Sequence, residues 1–236
     1  NVGLIEVPMG ITLQEVIMEV GGGVANGKKF KAVQTGGPSG GALTYKDLDV
    51  KIDYESLIAC QSMMGSGGMI VMDEDDCMVS VAKFFLDFTM EETCGKCTPC
   101  RIGSKRIYET LDKITMGQGT LEDIERLKLL SVAIKDTALC GLCQTMPNPV
   151  LSTMRVFEDE YTAHVVDKKC PAGVCSDLRE FTVVADKCVG CTLCAKVCPV
   201  DCISGKVKEV HVIDQAACIK CGACLDKCKF DAIIKQ

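Results

Sequence analysis

The chain has 236 residues and a formal net charge of -6 without an acidic or basic tail, which argues against nucleic acid as a partner. No long apolar run reaches the roughly 18 residues that a membrane-spanning helix needs, so we expect no contact with a membrane. Cysteine is the outlier, with 18 residues against 2 histidines and no tryptophan, which favours a disulfide scaffold or a metal-binding protein.

The amino end helps to choose between these two classes. The opening NVGLIEVPMGITLQEVI has no basic start and no apolar core before a small-residue cleavage site, so it does not read as a signal peptide. We therefore expect a cytoplasmic protein whose thiols are metal ligands. Because Asn1 is not an initiator Met, we also expect a longer natural polypeptide.

Residues 1–76 predict a small β-grasp domain with its connection to the next unit. VGLIEVP alternates as a strand, and ITLQEVIMEVGGG predicts a helix with Thr12 as N-cap and Glu15 closing a capping box. Three more stretches are read as strands: KFKAVQTGG, YKDLDVKI and the apolar run after SMMGSGG. A unit this short has to bury its sheet against one helix.

Residues 77–165 predict a helical bundle. Four stretches place apolar residues on one face of a helix: VSVAKFFLDF, RIYETLDKI, TLEDIERLKLLSVAI and NPVLSTMRVFEDEYTAH. Thr120 and Asp123 give the third helix a capping pattern, and Asn148 with Pro149 starts the fourth. Short links between four amphipathic helices are typical of a bundle.

The bundle contains three closely spaced cysteines in ETCGKCTPCRIG, namely Cys94, Cys97 and Cys100. Three thiols at this spacing indicate an iron–sulfur site, with a disulfide or a zinc site as the alternative. The helix that begins beside Cys100 would favour an anionic cluster through its free N–H groups. The residues alone leave two candidates for the fourth ligand, Cys140 and Cys143 in DTALCGLCQTMPNP.

Residues 186–236 are short, rich in turns and dominated by two copies of C-x2-C-x2-C-x3-C, in CVGCTLCAKVCPV and CIKCGACLDKCKF. This is the bacterial two-cluster ferredoxin signature, in which the fourth cysteine of each run binds the other cluster. Paired zinc ribbons would instead have two CxxC pairs. The predicted ligand sets are Cys188, Cys191, Cys194 with Cys228, and Cys218, Cys221, Cys224 with Cys198.

ETCGKCTPCRIG followed by DTALCGLCQTMPNPVLSTMRVF resembles the flavoprotein subunit of NADH dehydrogenases and of soluble NAD-linked hydrogenases. VPMGITLQEVIMEVGGGVANGKKFKAVQTGGPSGG is similar to the soluble-ligand-binding β-grasp domain of that family. With its ferredoxin tail, the chain most resembles the β subunits of electron-bifurcating NAD(P)-linked FeFe-hydrogenases. The resemblance implies that Cys140 is the fourth ligand of the bundle cluster. The predicted fold is thus α+β, with a β-grasp domain, a four-helix iron–sulfur bundle and a two-cluster ferredoxin domain.

The flavin chemistry of this family has no counterpart in the sequence. No G-x-G-x-x-G follows a strand, and TGGPSGG at 35–41 is read as a tight turn, so the resemblance places FMN and NAD(P) on a domain upstream. It also implies a hetero-oligomer, with a hydrogenase catalytic subunit, a small 2Fe–2S subunit and ferredoxin as partners. Whether these residues alone form an enzyme stays open.

Six cysteines fall outside the three predicted [4Fe–4S] sites: Cys60, Cys77, Cys143, Cys170, Cys175 and Cys202. Residues 166–185 are read as a linker, and HVVDKKCPAGVC brings Cys170 and Cys175 close to His164. We predict a zinc site from Cys170, Cys175, His164 and His211, with Cys202 as a substitute ligand. Unrelated histidines and buried thiols are the alternative, as is a fourth cluster that recruits Cys143 or Cys202. Cys60 and Cys77 are read as ordinary core thiols.

These parts predict the electron-transfer portion of an NAD(P)H-linked oxidoreductase complex, between a flavin, a hydrogenase subunit and ferredoxin. The same parts would suit an NAD-dependent formate dehydrogenase or an NADH dehydrogenase. A purely structural docking piece is the alternative from another class, and the two intact four-cysteine runs argue against it.

Overall fold

A computed structural model of the chain describes residues 1–235. The helices are α1 (Tyr54–Ala59), α2 (Met78–Glu92), α3 (Ser104–Thr115), α4 (Leu121–Thr137), α5 (Gly141–Thr145), α6 (Asn148–Val156), α7 (Glu158–Thr162), α8 (Leu193–Val197) and α9 (Ala223–Lys227). The strands are β1 (Phe30–Thr35), β2 (Ala42–Leu43), β3 (Met69–Asp73), β4 (Phe181–Val183), β5 (Ile203–Ser204), β6 (Val212–Ile213) and β7 (Ile233–Lys235). The predicted α+β class is confirmed.

The chain also contains short π-helical and 3-10 helical segments. The π-helical segments are Glu15–Val20, Pro99–Gly103 and Ala163–Asp167. The 3-10 segments are Ala25–Gly27, Gly37–Ser39, Tyr45–Asp47, Ser176–Leu178 and Ala185–Lys187.

The amino-terminal unit is an antiparallel sheet in the order β2-β1-β3 with one helical segment packed on it. Leu13 and Ile17 of that segment join Val33 and Leu43 of the sheet in one buried cluster. The predicted capping box forms, because the Thr12 amide donates to Glu15 Oε2 at 2.9 Å and the Glu15 amide donates to Thr12 Oγ1 at 3.2 Å. Local sequence thus fixes where this helical segment starts.

Two of the predicted strands are absent from this unit. Residues 2–8 form no strand, and Val2 and Leu4 are fully exposed, because their alternation has no neighbouring strand to pair with. YKDLDVKI begins with the turn Tyr45–Asp47, which the Asp47 carboxylate closes by accepting the Thr44 amide at 2.8 Å. The edge strand beside β1 is β2 instead.

The bundle is formed by α2, α3, α4 and α6, as predicted, with the last helix interrupted at Phe157 (φ -124°, ψ 43°). Its core includes Ile107, Leu111, Leu127 and Val150. The sequence predicts an apolar face of α2 from Val81, Phe84, Phe85 and Phe88, but only Phe85 of the three phenylalanines is buried, and Phe84 and Phe88 are 64% and 46% exposed.

The segment that we predicted as a linker, 166–185, divides between two cores. Cys170, Cys175 and Leu178 belong to the core of the bundle, whereas Phe181 in β4 pairs with β7 at the carboxyl end of the chain. The chain therefore passes from one packed unit to the other within a few residues.

The predicted ferredoxin unit, from residue 186 onward, is called the tail here. It consists of two similar halves, one around α8 and one around α9, which contact each other. Phe181, Cys194, Ile213 and Cys224 contribute to its small core. No helix among residues 1–235 is long and apolar enough to cross a membrane.

Candidate iron–sulfur sites and a buried Cys3His site

The tail contains two cavities, each lined by four of the predicted ligands. Cys188, Cys191 and Cys194 line the first together with Cys228. The second is lined by the other set, Cys218, Cys221, Cys224 and Cys198. The structure thus brings each fourth cysteine to the half of the tail opposite its own run, which is the crossed arrangement that the spacing predicts.

The backbone of the two halves follows the same path. Gly190 and Lys220 lie at equivalent positions with φ of 66° and 57°, and Thr192 and Gly222 follow with φ of 63° and 84°. A Cβ at position 190 would come within 2.5 Å of the Glu209 amide nitrogen, so only glycine fits there. These left-handed turns direct the chain around each cavity.

The donor set in these cavities suits iron–sulfur clusters. All 18 cysteines are free thiols. Backbone amides point at the sulfurs: the Lys220 amide donates to Cys218 Sγ at 3.3 Å and the Ala232 amide donates to Cys228 Sγ at 3.4 Å. Such N–H donors stabilise sulfur that carries negative charge, as it does when it binds iron.

A fifth thiol lies in the second cavity. Cys202 is buried, and its Sγ is 3.4 Å from Cys198 Sγ. Burial, with the neighbouring Cys198 and Cys218, raises the pKa of Cys202 to about 12. Burial opposes ionisation of Cys198 as well, but amide donors from Val200 and Cys202 hold the pKa of Cys198 below its usual range.

His211 lies in the tail and not in the group around His164. It is buried, its Nδ1 donates to the Glu209 carbonyl at 3.2 Å, and its ring lines the first cavity. The buried Nε2 has no hydrogen-bond partner among the described residues. The structure does not bring His211 to the predicted zinc site, because β5 and β6 hold it in the core of the tail.

In the bundle, the predicted cysteines come from two segments that meet. Cys100 is buried on the segment Pro99–Gly103, Cys97 is half-buried, and Cys94 is exposed. The Leu139 amide, from the second segment, donates to Cys97 and lowers the pKa of that thiol. The loop before Cys100 and the loop before α5 therefore lie against each other.

The two candidates for the fourth ligand contact each other, and Cys143 also contacts Cys100. Cys140 is exposed and precedes α5, whereas Cys143 is buried within it. Burial raises the pKa of Cys143, and hydrogen bonds with the Cys100 and Cys140 thiols raise it further. The structure therefore brings both candidates to the bundle site, and only the family resemblance favours Cys140.

The tightest group of metal-binding side chains among residues 1–235 is Cys77, His164, Cys170 and Cys175, all buried, with ligand atoms within 4.8 Å of one another. Cys77 lies directly before α2, His164 is on the segment Ala163–Asp167, and the other two follow in a loop. Three of the four predicted zinc ligands, His164, Cys170 and Cys175, therefore come together. The fourth member of the group is Cys77, whereas the sequence predicts His211 as the fourth ligand.

The distances in this group fit a tetrahedral zinc ion. Zinc–sulfur bonds near 2.3 Å and zinc–nitrogen bonds near 2.0–2.1 Å place two sulfurs about 3.8 Å apart, and sulfur and nitrogen about 3.6 Å apart. The Sγ atoms of Cys77 and Cys175 are 3.7 Å apart, and His164 Nε2 lies 3.3 Å from Cys77 Sγ and 3.4 Å from Cys175 Sγ.

The protein also orients the imidazole of His164. Its Nδ1 donates to the Glu160 carbonyl at 2.7 Å, which leaves Nε2 facing the thiols, as in metal-bound histidines. Burial opposes a charge on the ring, yet hydrogen bonds from the ring to the sulfurs of Cys170 and Cys77 raise the pKa of His164 to about 10. Hydrogen bonds with Cys175 and Cys77 lower the pKa of Cys170 despite its burial, and hydrogen bonds with Cys170 and Cys77 raise the pKa of Cys175.

Cys77 is the site residue that sequence reasoning missed. It is 87 residues from His164 and belongs to no spaced pair, so no local pattern connects it with HVVDKKCPAGVC. Its position directly before a helix that starts the bundle was the available signal.

Comparisons with known proteins identify two iron–sulfur domains in the chain. Residues 80–164 match the family described as the NADH-ubiquinone oxidoreductase-F iron-sulfur binding region. Residues 187–233 match the 4Fe-4S dicluster domain family. The chain contains both iron–sulfur domains. The resemblance that we drew from the cysteine spacing is confirmed.

Individual relatives support the same conclusion. The chain is 74% identical over 236 residues to the NADP-reducing hydrogenase subunit HndC of Solidesulfovibrio fructosivorans, of which it covers 48%. It is 38% identical over 169 residues to an NADH-quinone oxidoreductase subunit of Rhizobium meliloti, covering 72% of this chain and 40% of that protein. The chain therefore spans about half the length, or less, of the curated relatives it matches.

A solved structure shares the fold. A crystal structure of an NAD+-reducing [NiFe]-hydrogenase in the H2-reduced state superimposes with a TM-score of 0.59 and 30% sequence identity, over 67% of this chain and 26% of that one. The names of the two curated relatives describe them as oxidoreductase or hydrogenase subunits.

Proposed function

We propose that this chain is the electron-transfer portion of a subunit in an NAD(P)-linked hydrogenase complex. The observation that carries the proposal is the convergence of cysteines in three places: two sets of four line the cavities of the tail, and Cys97, Cys100 and Cys140 lie where two loops of the bundle meet. The similarity to an NADP-reducing hydrogenase subunit over the full 236 residues favours the hydrogenase type over the alternatives.

The residues of each set have distinct tasks in this proposal. Cys94, Cys97, Cys100 and Cys140 would hold the bundle cluster, and the two crossed sets of the tail would hold one cluster each. Each bound [4Fe–4S] cluster would supply one-electron transfer. The protein contributes thiolate ligands, amide donors to sulfur and apolar walls that exclude water from the cavities.

The remaining parts of the proposal concern what lies outside this chain. FMN and NAD(P) would be held by a part of the subunit beyond these 236 residues, and electrons would pass between that flavin, a hydrogenase catalytic subunit with its small 2Fe–2S partner, and ferredoxin. Electron bifurcation belongs to the same proposal. A cytoplasmic location agrees with 18 free thiols, which persist in a reducing compartment.

The Cys3His group has a structural task in the proposal. A zinc ion bound by Cys77, His164, Cys170 and Cys175 would join the start of α2, the end of the bundle and the segment leading into the tail. Zinc has no redox chemistry of its own, so such a site stabilises the junction without taking part in electron transfer.

The experiment compares single-cysteine variants with the wild-type native subunit, purified anaerobically. Cys97→Ala, Cys191→Ala and Cys221→Ala each remove one ligand from one set, and Cys60→Ser, which packs against the core of the amino-terminal unit, is the control. Iron, acid-labile sulfide and zinc are counted per chain, and electron paramagnetic resonance (EPR) spectra are recorded after reduction with dithionite.

We expect each of the three ligand variants to lose between one and about four irons and one EPR signal, with zinc unchanged. The control should keep all of them. Unchanged iron in all three variants would contradict the electron-transfer function and favour a docking role. If the purified complex oxidises formate and not H2, the hydrogenase assignment is wrong while the electron-transfer function stands.

A further inference from the structure

The second cavity of the tail contains one thiol more than a four-iron cluster uses. Cys202 belongs to neither C-x2-C-x2-C-x3-C run, yet it lines this cavity beside Cys198, Cys218 and the other two cysteines of the set. It is only 7% exposed, and its Sγ is 3.4 Å from Cys198 Sγ. No other tail cysteine outside the two runs exists in the sequence.

The first cavity of the tail shows what this position looks like without a thiol. Cys198 and Cys228 end the two runs, and four residues later the chain has Cys202 in one half and Ala232 in the other. Asp201 and Asp231, the residues just before them, share a left-handed φ of 50° and 47°.

The two positions also share their contact with sulfur. The Ala232 amide donates to Cys228 Sγ at 3.4 Å, and the Cys202 amide likewise donates to Cys198 Sγ. Ala232 is 2% exposed, so both positions are buried against the last ligand of their run. The two sites thus differ at this place by one side-chain sulfur on the same backbone.

We propose that Cys202 is a reserve ligand of the second tail site, able to bind the iron that Cys198 otherwise binds. This inference rests on the proposed function, since it requires a cluster in the second cavity. Because the two sulfurs are 3.4 Å apart on adjoining turns, rotation of the Cys202 side chain exchanges one sulfur for the other without moving the backbone.

The exchange balances without an oxidant or a reductant. The bond between iron and Cys198 Sγ breaks, a bond between iron and Cys202 Sγ forms, and the proton of the Cys202 thiol is left on the Cys198 sulfur. Ligand count and cluster charge stay the same. The first tail site has no such reserve, because Ala232 carries no donor atom.

The test compares matched variants of the two sites in the native subunit, purified anaerobically. Cys198→Ala and the double variant Cys198→Ala/Cys202→Ala probe the second site. At the first site, Cys228→Ala is the matched control. The double variant Cys228→Ala/Ala232→Cys introduces a reserve cysteine at the equivalent position of this site. Iron and sulfide per chain are measured, with EPR spectra that distinguish three-iron from four-iron clusters.

We expect Cys198→Ala to keep the wild-type iron count and a reduced four-iron signal, and the double variant to lose at least one iron. Cys228→Ala should lose at least one iron, and adding Ala232→Cys should restore it. Equal iron loss in Cys198→Ala and in the double variant would overturn the inference, as would a transplant without any effect.

Two further outcomes, misfolding of a variant and absence of a cluster, can be distinguished from failure of the inference. If Cys198→Ala does not fold, as judged by circular dichroism, the transplant at the first site decides the question by itself. If Cys221→Ala leaves iron and EPR signals unchanged, the second cavity binds no cluster, and the cluster proposed there fails together with this inference. If Cys221→Ala loses iron, and Cys198→Ala loses as much iron as the double variant, the proposed function stands and only this inference is wrong.

Discussion

At the scale of single residues, Cys140 and Cys143 test the bundle site. Cys140 is exposed at the rim and Cys143 is buried beneath it, where its pKa is raised. The resemblance to the NADH dehydrogenase flavoprotein subunit assigns the ligand role to Cys140, so we expect Cys140→Ala to lose between one and about four irons and the EPR signal of this cluster. Cys143→Ala should keep both, as measured by iron content and EPR. Iron loss in Cys143→Ala with none in Cys140→Ala would reverse the assignment.

The Cys3His group gives a second prediction at this scale. Cys77→Ser and His164→Asn should each lower bound zinc from about one to near zero per chain, because a tetrahedral site fails without one of four ligands. His211→Asn, which changes the histidine in the tail, is the matched control and should keep the zinc. Metal analysis and thermal unfolding of the anaerobic protein measure both effects. Zinc loss in His211→Asn would contradict the site.

The same residues show where sequence reasoning reaches its limit. The crossed cysteine sets of the tail follow from spacing, since each run carries its geometry within 13 residues. The Cys77 thiol meets His164 across 87 residues of chain, so no local pattern connects the two. The sequence predicts His211 beside His164, but His211 directly precedes β6, whose pairing with β5 places it in the tail.

At the scale of elements, the capping box of α4 depends on one buried carboxylate. Asp123 Oδ2 accepts from the Thr120 amide and hydroxyl, both at 2.9 Å, and pairs with Lys113 Nζ at 2.6 Å. Burial raises the pKa of Asp123, but Lys113 and Thr120 outweigh it, so the pKa lies below its usual value. The carboxylate is therefore fully ionised throughout the neutral range.

We expect Asp123→Asn to lower the free energy of unfolding by about 1.5–3 kcal/mol, the range for hydrogen bonds to charged groups. Because the folded pKa is depressed, this contribution is complete above the unfolded value of about 3.9 and is lost as pH falls through the folded pKa. The difference between wild type and variant should therefore be constant from about pH 5 to about pH 8 in urea unfolding. A difference that changes steadily across this range would contradict the assignment.

Elements with local signals were predictable and elements that need a partner were not. The capping boxes at Thr12 and Thr120 appear where the sequence places them, since four consecutive residues suffice to form them. The strand predicted at 2–8 is missing because alternation alone does not supply a neighbouring strand.

At the scale of the whole molecule, Glu160 connects the amino-terminal unit, the bundle and the Cys3His group. Its Oε1 is 2.5 Å from Lys31 Nζ on β1, and its Oε2 accepts the Met78 amide at the start of α2 at 3.1 Å. Its carbonyl accepts from His164 Nδ1. One buried residue thus holds the first sheet against the bundle and orients the histidine of the metal group.

Lys31→Met tests this connection. Lys31 and Glu160 have side chains only 15% and 7% exposed, so the variant leaves a buried carboxylate without its cation. We expect the free energy of unfolding to fall by about 3 kcal/mol, the lower end for a broken buried pair, since Lys31 keeps some contact with water. Chemical unfolding followed by circular dichroism gives the value.

Lys28→Met is the matched control for this prediction, because Lys28 pairs with Asp73 and Asp75 at the surface, where solvent and salt screen the attraction. The control should lose clearly less stability, and about 0.5 M salt, with a screening length of about 4 Å, should remove most of its effect while leaving that of Lys31→Met. Equal losses in the two variants would mean that the Lys31–Glu160 pair contributes no more to stability than a surface ion pair. An excess loss in Lys31→Met, accompanied by weaker zinc retention, would show that the first sheet supports the metal group through Glu160.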